Sequence, residues 1–240
     1  MIDQGKWAVA QANEKKHWVR NRERYASDQA KRTLRLKAER SERWISQFVE
    51  LKDDSRIMEI GGAGEPVIDF FSKGSLTSLD PLNDFYSEQF SNLLNPDVRR
   101  IKAAAEDIPF GDRFFDLIMV HNVLDHTRDP SKVICETSRC LKTGGIMVLS
   151  VNTFPIYWAW GRKFLPLLGA QDHLLHPHSF SVGKVLRMIR RTGFEILEAK
   201  LDLFVPRRWE DQRISPMRRR VYSLLNYRRQ RVSIIAGKPI

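Results

Sequence analysis

The stretch between Arg56 and Asn152 constrains this chain more than any other, because five short apolar runs recur there between turn and helix signals: RIMEI, LTSLD, VRRIKA, FDLIMVH and GIMVLSVN. Near-continuous apolar runs alternating with helical segments are what a parallel sheet needs when helices cover both of its faces. One crossover is legible in detail. Asp129 is placed to cap a helix opened by Pro130, Val133, Ile134, Thr137 and Leu141 line its inner face, and Gly144 ends it. A second helix starts near Ser179 or Ser181, buries Val182, Val185, Leu186 and Ile189, and stops at Gly193 before the run FEILEAKL. The final run, VSIIAGKPI, reads as a last strand.

Ahead of this region, residues 1 to about 50 are polar and free of proline, with Leu34, Ala38, Ile45, Phe48 and Val49 at helical spacing. They read as one or two helices covering a main domain that spans 51–240. With 240 residues and a hydrophobic fraction of 42%, one domain with added segments is expected, and disorder is not. Cys135 and Cys140 fall in the predicted helix on different faces and read as reduced core thiols. The N-terminus has no apolar h-region of a secretory signal, so a cytoplasmic protein is expected.

The chemistry concentrates where an apolar strand ends in RIMEIGGAGEP, residues 56–66. In an open parallel sheet, ligands bind beyond the carboxyl ends of the strands, and small residues let the backbone come close to them. Gly61, Gly62, Ala63 and Gly64 would form that floor; a tight turn without a ligand is the other reading of the glycines alone. The next strand ends at Asp80, beside the glycine turn, where a carboxylate can accept both hydroxyls of a ribose. Asp80 followed by Pro81 can equally open a turn. After the third strand, Glu106 and Asp107 offer a carboxylate for the exocyclic amine of an adenine, with the Ile108 backbone against the ring edge. Helix capping is the alternative for each acid.

The ordered set EIGGAGEP, LDPLNDFY, AAEDIPFGDRFFDLIMVHNVLDH and LKTGGIMVLSVN resembles the class I S-adenosylmethionine-dependent methyltransferases, specifically the type 11 subgroup, over residues 55 to about 153. That resemblance implies a Rossmann-like α/β fold: a seven-stranded, mostly parallel sheet with helices on both faces, a helical N-terminal extension and a lid after the fifth strand. It also implies S-adenosylmethionine as cofactor. Glu59 would support its amino-acid end through the turn, Gly61 and Gly64 would lie beneath it, Asp80 would take the ribose, Asp107 with Ile108 the adenine, and His121 and Asn122 the methionine side. The chain departs from the family pattern in carrying Ala63 for the usual second glycine and Glu65-Pro66 for the third. Glu65 close to the cofactor carboxylate is unfavourable unless it points away. A nicotinamide site fits less well, since Gly61, Ala63 and Pro66 do not match G-x-G-x-x-G.

Methyl transfer asks the protein to align a nucleophile and exclude water, with a proton acceptor when the nucleophile is a hydroxyl. His126 in NVLDH, with Asp125 as orienting partner, is the first candidate for that base; a surface histidine is the plain alternative. His173, His176 and His178 in QDHLLHPH form a second cluster, with His173 or His176 placed to touch an acceptor. Its spacing lacks the H-x-x-x-H geometry of a metal site, and no metal is expected.

The connection 153–178 carries Tyr157, Trp158, Trp160 and Phe164 and reads as a lid over an acceptor, as core filling, or, with Arg162 and Lys163, as a contact with a membrane surface. The arginine-rich segment 206–231 interleaves Trp209, Tyr222 and Tyr227, a composition that fits a solvated helix with Val221, Leu224 and Leu225 turned inward, a patch for a lipid-linked phosphate, or tracking of nucleic acid. The net charge of +11 attracts all such anions without choosing among them. The acceptor read from fold-level analogy is a small molecule or saccharide methylated on oxygen, with RNA and a non-catalytic scaffold role as alternatives.

Overall fold

In the computed structural model, residues 4–62, 65–91, 94–155, 178–204 and 229–239 are described. Three helical segments come first: α1 (Gln4–Arg20), α2 (Arg22–Ala26) and α3 (Asp28–Ile45). The sheet follows as β1 (Arg56–Ile60), β2 (Ser75–Leu79), α4 (Asn83–Phe90), β3 (Arg99–Ile101), β4 (Phe115–His121), α5 (Pro130–Cys140), β5 (Leu141–Thr153), α6 (Val182–Arg191), β6 (Glu195–Phe204) and β7 (Arg229–Gly237). Strand order is β3-β2-β1-β4-β5-β7-β6. β7 runs antiparallel to both of its neighbours, while the pairs from β3 to β5 are parallel. The order reverses between β1 and β4, so the loops leaving their carboxyl ends part to opposite sides and open a crevice there.

Alternation along the strands divides the core into two layers. On one face, Met58, Ile60, Ile118, Val120, Met147 and Leu149 pack with Val133 and Ile134 of α5 and with Val185 and Ile189 of α6. On the other, Ile57, Leu117, Met119, Val148 and Ile235 pack with Ala38 and Ile45 of α3. Each large apolar side chain withdrawn this way contributes about 1.5–3 kcal/mol, which makes α3 an integral layer of the domain. The expected apolar positions of the N-terminal region all belong to that second layer: Leu34, Ala38, Ile45, Phe48 and Val49. The helix itself stops at Ile45, and Phe48 and Val49 pack from the turn that follows.

Local signals place the helix starts. Asp129 accepts from the Ser131 and Lys132 amides, with Pro130 in the first turn. Ser181 accepts from the Lys184 amide, and Ser27 caps α3 through the Ala30 amide. The expected end of α5 is corrected: the helix closes at Cys140, and Leu141 opens β5 opposite Phe115. Gly144, with φ of 75°, turns the backbone within β5, between the Phe115–Leu141 pairing and the one that resumes at Leu117–Ile146. The thiols also divide. Cys140 is buried, and burial pushes it up to about 11, whereas Cys135 is exposed and is no core residue.

Candidate functional site

A cleft of about 610 Å³ opens where the sheet order reverses, within the range of roughly 300–1,000 Å³ usual for small-molecule sites. Its floor is the end of β1. Glu59 is fully buried; Oε2 accepts from the Ile68 amide at 3.0 Å, and Oε1 lies 3.3 Å from His121 Nδ1 on the neighbouring strand. The glycines of the turn are demanded by the protein's own packing. A Cβ on Gly62 would stand 2.2 Å from Glu59 Oε2, and one on Gly61, whose φ is 73°, would stand 2.1 Å from Val123 Cγ2. Ala63 and Gly64 lie outside the described residues. Glu65 answers the concern raised by its charge: it pairs with Lys37 of α3 at 2.5 Å, and both residues line the cleft.

Asp80, nearly buried at the end of β2, accepts from the Leu82 amide at 2.7 Å. It therefore shapes the Pro81 turn and faces the cleft together, since Asp80, Pro81 and Leu82 all line it. Beneath it, burial and the Asp80 carboxylate hold the Tyr86 phenol well above its ordinary range. After β3 the wall consists of Ala104, Ala105 and Glu106. Glu106 Oε1 takes the Arg128 amide at 2.6 Å and the Asp129 amide at 3.2 Å, which ties this wall to the loop before α5.

Asp107 and Ile108 are not brought to the cleft. Asp107 is exposed, and Ile108 is buried with its amide given to Glu136 and its carbonyl taken by Arg139. That use explains why Glu136 is held below the usual carboxylate range: the Arg139 guanidinium leads, and the Ile108 amide adds to it. The cleft wall on this side thus ends at Glu106, one position before Asp107.

At the end of β4, His121 and Asn122 both line the cleft. Asn122 adopts φ of 57°, a conformation asparagine tolerates better than most residues, donates its amide to Ser150, and accepts from Asn152 Nδ2. His126 follows in a 3-10 turn, Leu124–His126, with Nε2 3.9 Å from Asp125 Oδ2, and it too lines the cleft. His178 serves that turn structurally: its ring nitrogen meets the Thr127 carbonyl at 2.9 Å, and burial holds its pKa below the ordinary imidazole value. His173, His176 and residues 156–177 of the lid lie outside the described residues, as do residues 205–228 of the basic segment. Among the described residues there is no cluster of three or more metal-ligating side chains, and no helix is long and apolar enough to cross a membrane.

The roof was not anticipated residue by residue. Trp7, Ala10, Gln11, Glu14 and Trp18 form one helical stripe of α1 that lines the cleft, joined by Lys37, Arg40, Ser41 and Trp44 of α3. The Trp18 ring packs on Tyr25 at 4.2 Å, tilted by 46°, and meets Tyr86 at 5.9 Å, and the Arg128 guanidinium lies 4.9 Å from the centre of the Trp7 ring. The spacing of the α1 stripe is helical, but its mixed polarity leaves no hydrophobic signal to find it by.

Known proteins resemble this chain in sequence over part of its length and in fold. Residues 60–149 match the model of the methyltransferase domain family. An uncharacterized protein of Methanocaldococcus jannaschii is 26% identical over 107 residues, 45% of this chain and 51% of that protein. An uncharacterized methyltransferase of Mycobacterium bovis is 24% identical over 159 residues, 63% of this chain and 64% of that protein. The chain thus spans about half to just under two thirds of these curated relatives. Among solved structures, geranyl diphosphate C-methyltransferase of Streptomyces coelicolor A3(2), in complex with Mg2+, geranyl diphosphate and S-adenosyl-L-homocysteine, superposes with a TM-score of 0.62 at 17% identity, covering 85% of this chain and 80% of that one. At that identity the likeness is one of fold.

Proposed function

We propose, from the match of residues 60–149 to the methyltransferase domain family, that this chain is a class I methyltransferase of the type 11 kind and transfers a methyl group from S-adenosylmethionine to an oxygen of a small hydroxylated molecule or saccharide. The observation that carries the reading is convergence: Glu59, the Gly61-Gly62 turn, Asp80 with Pro81, Glu106, His121 and Asn122 come from four strand ends and line one cleft.

These residues suit the cofactor. The Asp80 carboxylate faces the cleft, where it would accept ribose hydroxyls, and the short side chains of Ala104 and Ala105 would lie against a flat ring. Lys37 on the roof pairs with Glu65 and so offsets its negative charge near the glycine turn. When bound, the cofactor supplies an electrophilic methyl on a sulfonium. The chain's own task is to align the acceptor, keep water out and hold a proton.

Two imidazoles face the cleft for that last task. His126 has Asp125 at 3.9 Å, while His121 has the fully buried and doubly engaged Glu59 at 3.3 Å. A carboxylate on Nδ1 fixes the tautomer in which Nε2 accepts a proton. His121 is therefore the better-oriented base, and His126 stands second. Calorimetric titration with S-adenosylmethionine, with its demethylated product and with NAD tests the reading. Micromolar binding of both sulfur compounds and none of NAD is expected; binding of NAD alone, or of none of the three, would refute it.

A further inference from the structure

The cleft does not end at His121. It continues across the sheet beneath α3, where Ser150 of β5 is the register partner of His121, and Ser233 of β7 is the partner of Ser150. One step down the same strands, the equivalent row is Met119, Val148 and Ile235, all buried in the core. The face thus changes from apolar to polar at the level where the cleft begins. Neighbouring strands are about 4.8 Å apart, so the three polar tips span roughly 10 Å. Both serine hydroxyls are half-buried and make no hydrogen bond to any described group. Both line the cleft, so each hydroxyl is open to bond a ligand there without breaking a bond within the protein. Two residues from Ser233 along β7 stands Arg231, in register with Asn152 of β5 and Asp202 of β6, with Arg40 of α3 on the roof; neither arginine makes an ion pair within 4.0 Å among the described residues. Trp44 closes the side and is fixed by Glu198 through its indole N–H and by Lys200, whose Nζ lies 4.6 Å from the ring centre.

We propose that His121, Ser150, Ser233 and Arg231 form the acceptor subsite, and that it takes a polyhydroxylated small molecule carrying one anionic group, a carboxylate or a phosphate. The assignment rests on the methyltransferase reading above and specifies its substrate class. The two serines hold neighbouring hydroxyls, Arg231 pairs with the anion, and the hydroxyl to be methylated is presented to His121. That hydroxyl gives its proton to His121 Nε2 while its oxygen forms the new O–CH3 bond. The S–CH3 bond of the methyl sulfonium breaks with its electron pair left on sulfur, giving a neutral thioether. His121 then releases the proton to water.

The test is calorimetry on the full chain saturated with S-adenosylhomocysteine, titrated with glucuronate, glucose 6-phosphate, glucose and phenol. At least one anionic hexose binds about tenfold more tightly than glucose, and phenol binds worst; which of the two anions leads distinguishes carboxylate from phosphate. The double variant S150V/S233V, which keeps strand propensity, loses about tenfold in hexose affinity with unchanged affinity for S-adenosylhomocysteine. R231Q brings the anionic hexose to the level of glucose. The proposal is overturned if S-adenosylhomocysteine binds but the four probes do not differ, if neither anionic hexose binds at millimolar concentration, or if the double variant binds as the parent does. Failure to bind S-adenosylhomocysteine at all would remove the methyltransferase reading, and this proposal with it.

Discussion

Gly61→Ala separates two costs that the turn after β1 imposes. Gly61 has φ of 73°, and a Cβ there would meet Val123 Cγ2 at 2.1 Å. Holding an L-residue in the left-handed region costs about 1–2 kcal/mol. Relieving the contact requires Val123 or the turn to move, an overpacking cost of about 1–3 kcal/mol. The substitution should therefore destabilise the protein by about 2–5 kcal/mol. Val123→Ala removes the offending methyl and leaves the backbone angle unchanged. In that background Gly61→Ala should cost only the left-handed term of about 1–2 kcal/mol, so the coupling between the two positions is about 1–3 kcal/mol. Urea unfolding of the parent, both single variants and the double variant measures this, with the denaturant slopes compared to show that the unfolded reference is unchanged. Equal cost of Gly61→Ala in both backgrounds would refute the steric argument, and a cost below about 1 kcal/mol in the parent would refute the backbone argument as well.

Asp80→Ala should weaken binding of S-adenosylhomocysteine by about 1–3 kcal/mol, the loss of charge-assisted hydrogen bonds to a ribose; calorimetry showing unchanged affinity would reject that role. Trp18→Ala removes the ring that links α1 to Tyr25 and Tyr86, and two aromatic pairs at about 0.5–1.5 kcal/mol each predict faster amide exchange throughout α1. Exchange in β4 should not change, and equal acceleration of both would mean that α1 opens only with the whole domain. Burial depresses the His178 pKa, so as pH falls below the unfolded imidazole value of about 6.5 the unfolded chain takes up the proton first. Stability is then lost until the folded value is reached. In His178→Gln the urea midpoint should fall less between about pH 7.5 and about pH 5.5 than it does in the parent; an identical fall would contradict the assignment.

The parts of this fold that could be read from sequence are those fixed by local chemistry. The five runs between Arg56 and Asn152 are strands at or near their expected bounds, and the caps at Asp129 and Ser181 depend on side chains two or three residues from their targets. Where two local readings competed, tertiary pairing decided. Leu141 continues the helical stripe from Thr137, yet it becomes the first residue of β5 because Phe115 stands opposite it. Cys135 sits in the same helix as Val133 and Ile134 but points to solvent, a difference of one position around the helix that the cysteine residue type could not reveal.

The candidate site divides along the same line, between residues set by the strand ends and residues set by distant partners. Glu59, Gly61, Asp80 and His121 were legible because each lies in the last two residues of a strand or begins its turn, and strand ends at a switch point face the crevice. Glu106, Asp107 and Ile108 were not separable, because their directions are set from far along the chain: Glu106 by the amides of Arg128 and Asp129, and Ile108 by Glu136 and Arg139. Glu65 looked like a charge aimed at the cofactor because its neutralising partner, Lys37, is 28 residues away on a helix whose packing only the folded layer defines. Ser150 and Ser233 carried no signal at all, since single serines in apolar strands read as interruptions until the register sets them side by side. The charge of the whole chain misleads in a related way. The chain is +11, yet Glu14, Glu59, Glu65, Asp80, Glu106 and Asp202 line a cleft whose permanent cations are Lys37, Arg40 and Arg231. The carboxylates Glu59, Asp80 and Glu106 gather where the cationic sulfonium compound is proposed to lie, and Arg40 and Arg231 lie on α3 and β7 where an anionic acceptor would be held, with Asp202 opposite Arg231 offsetting part of their charge. A cleft polarised in that sense places donor and acceptor end to end by charge before any contact between them forms.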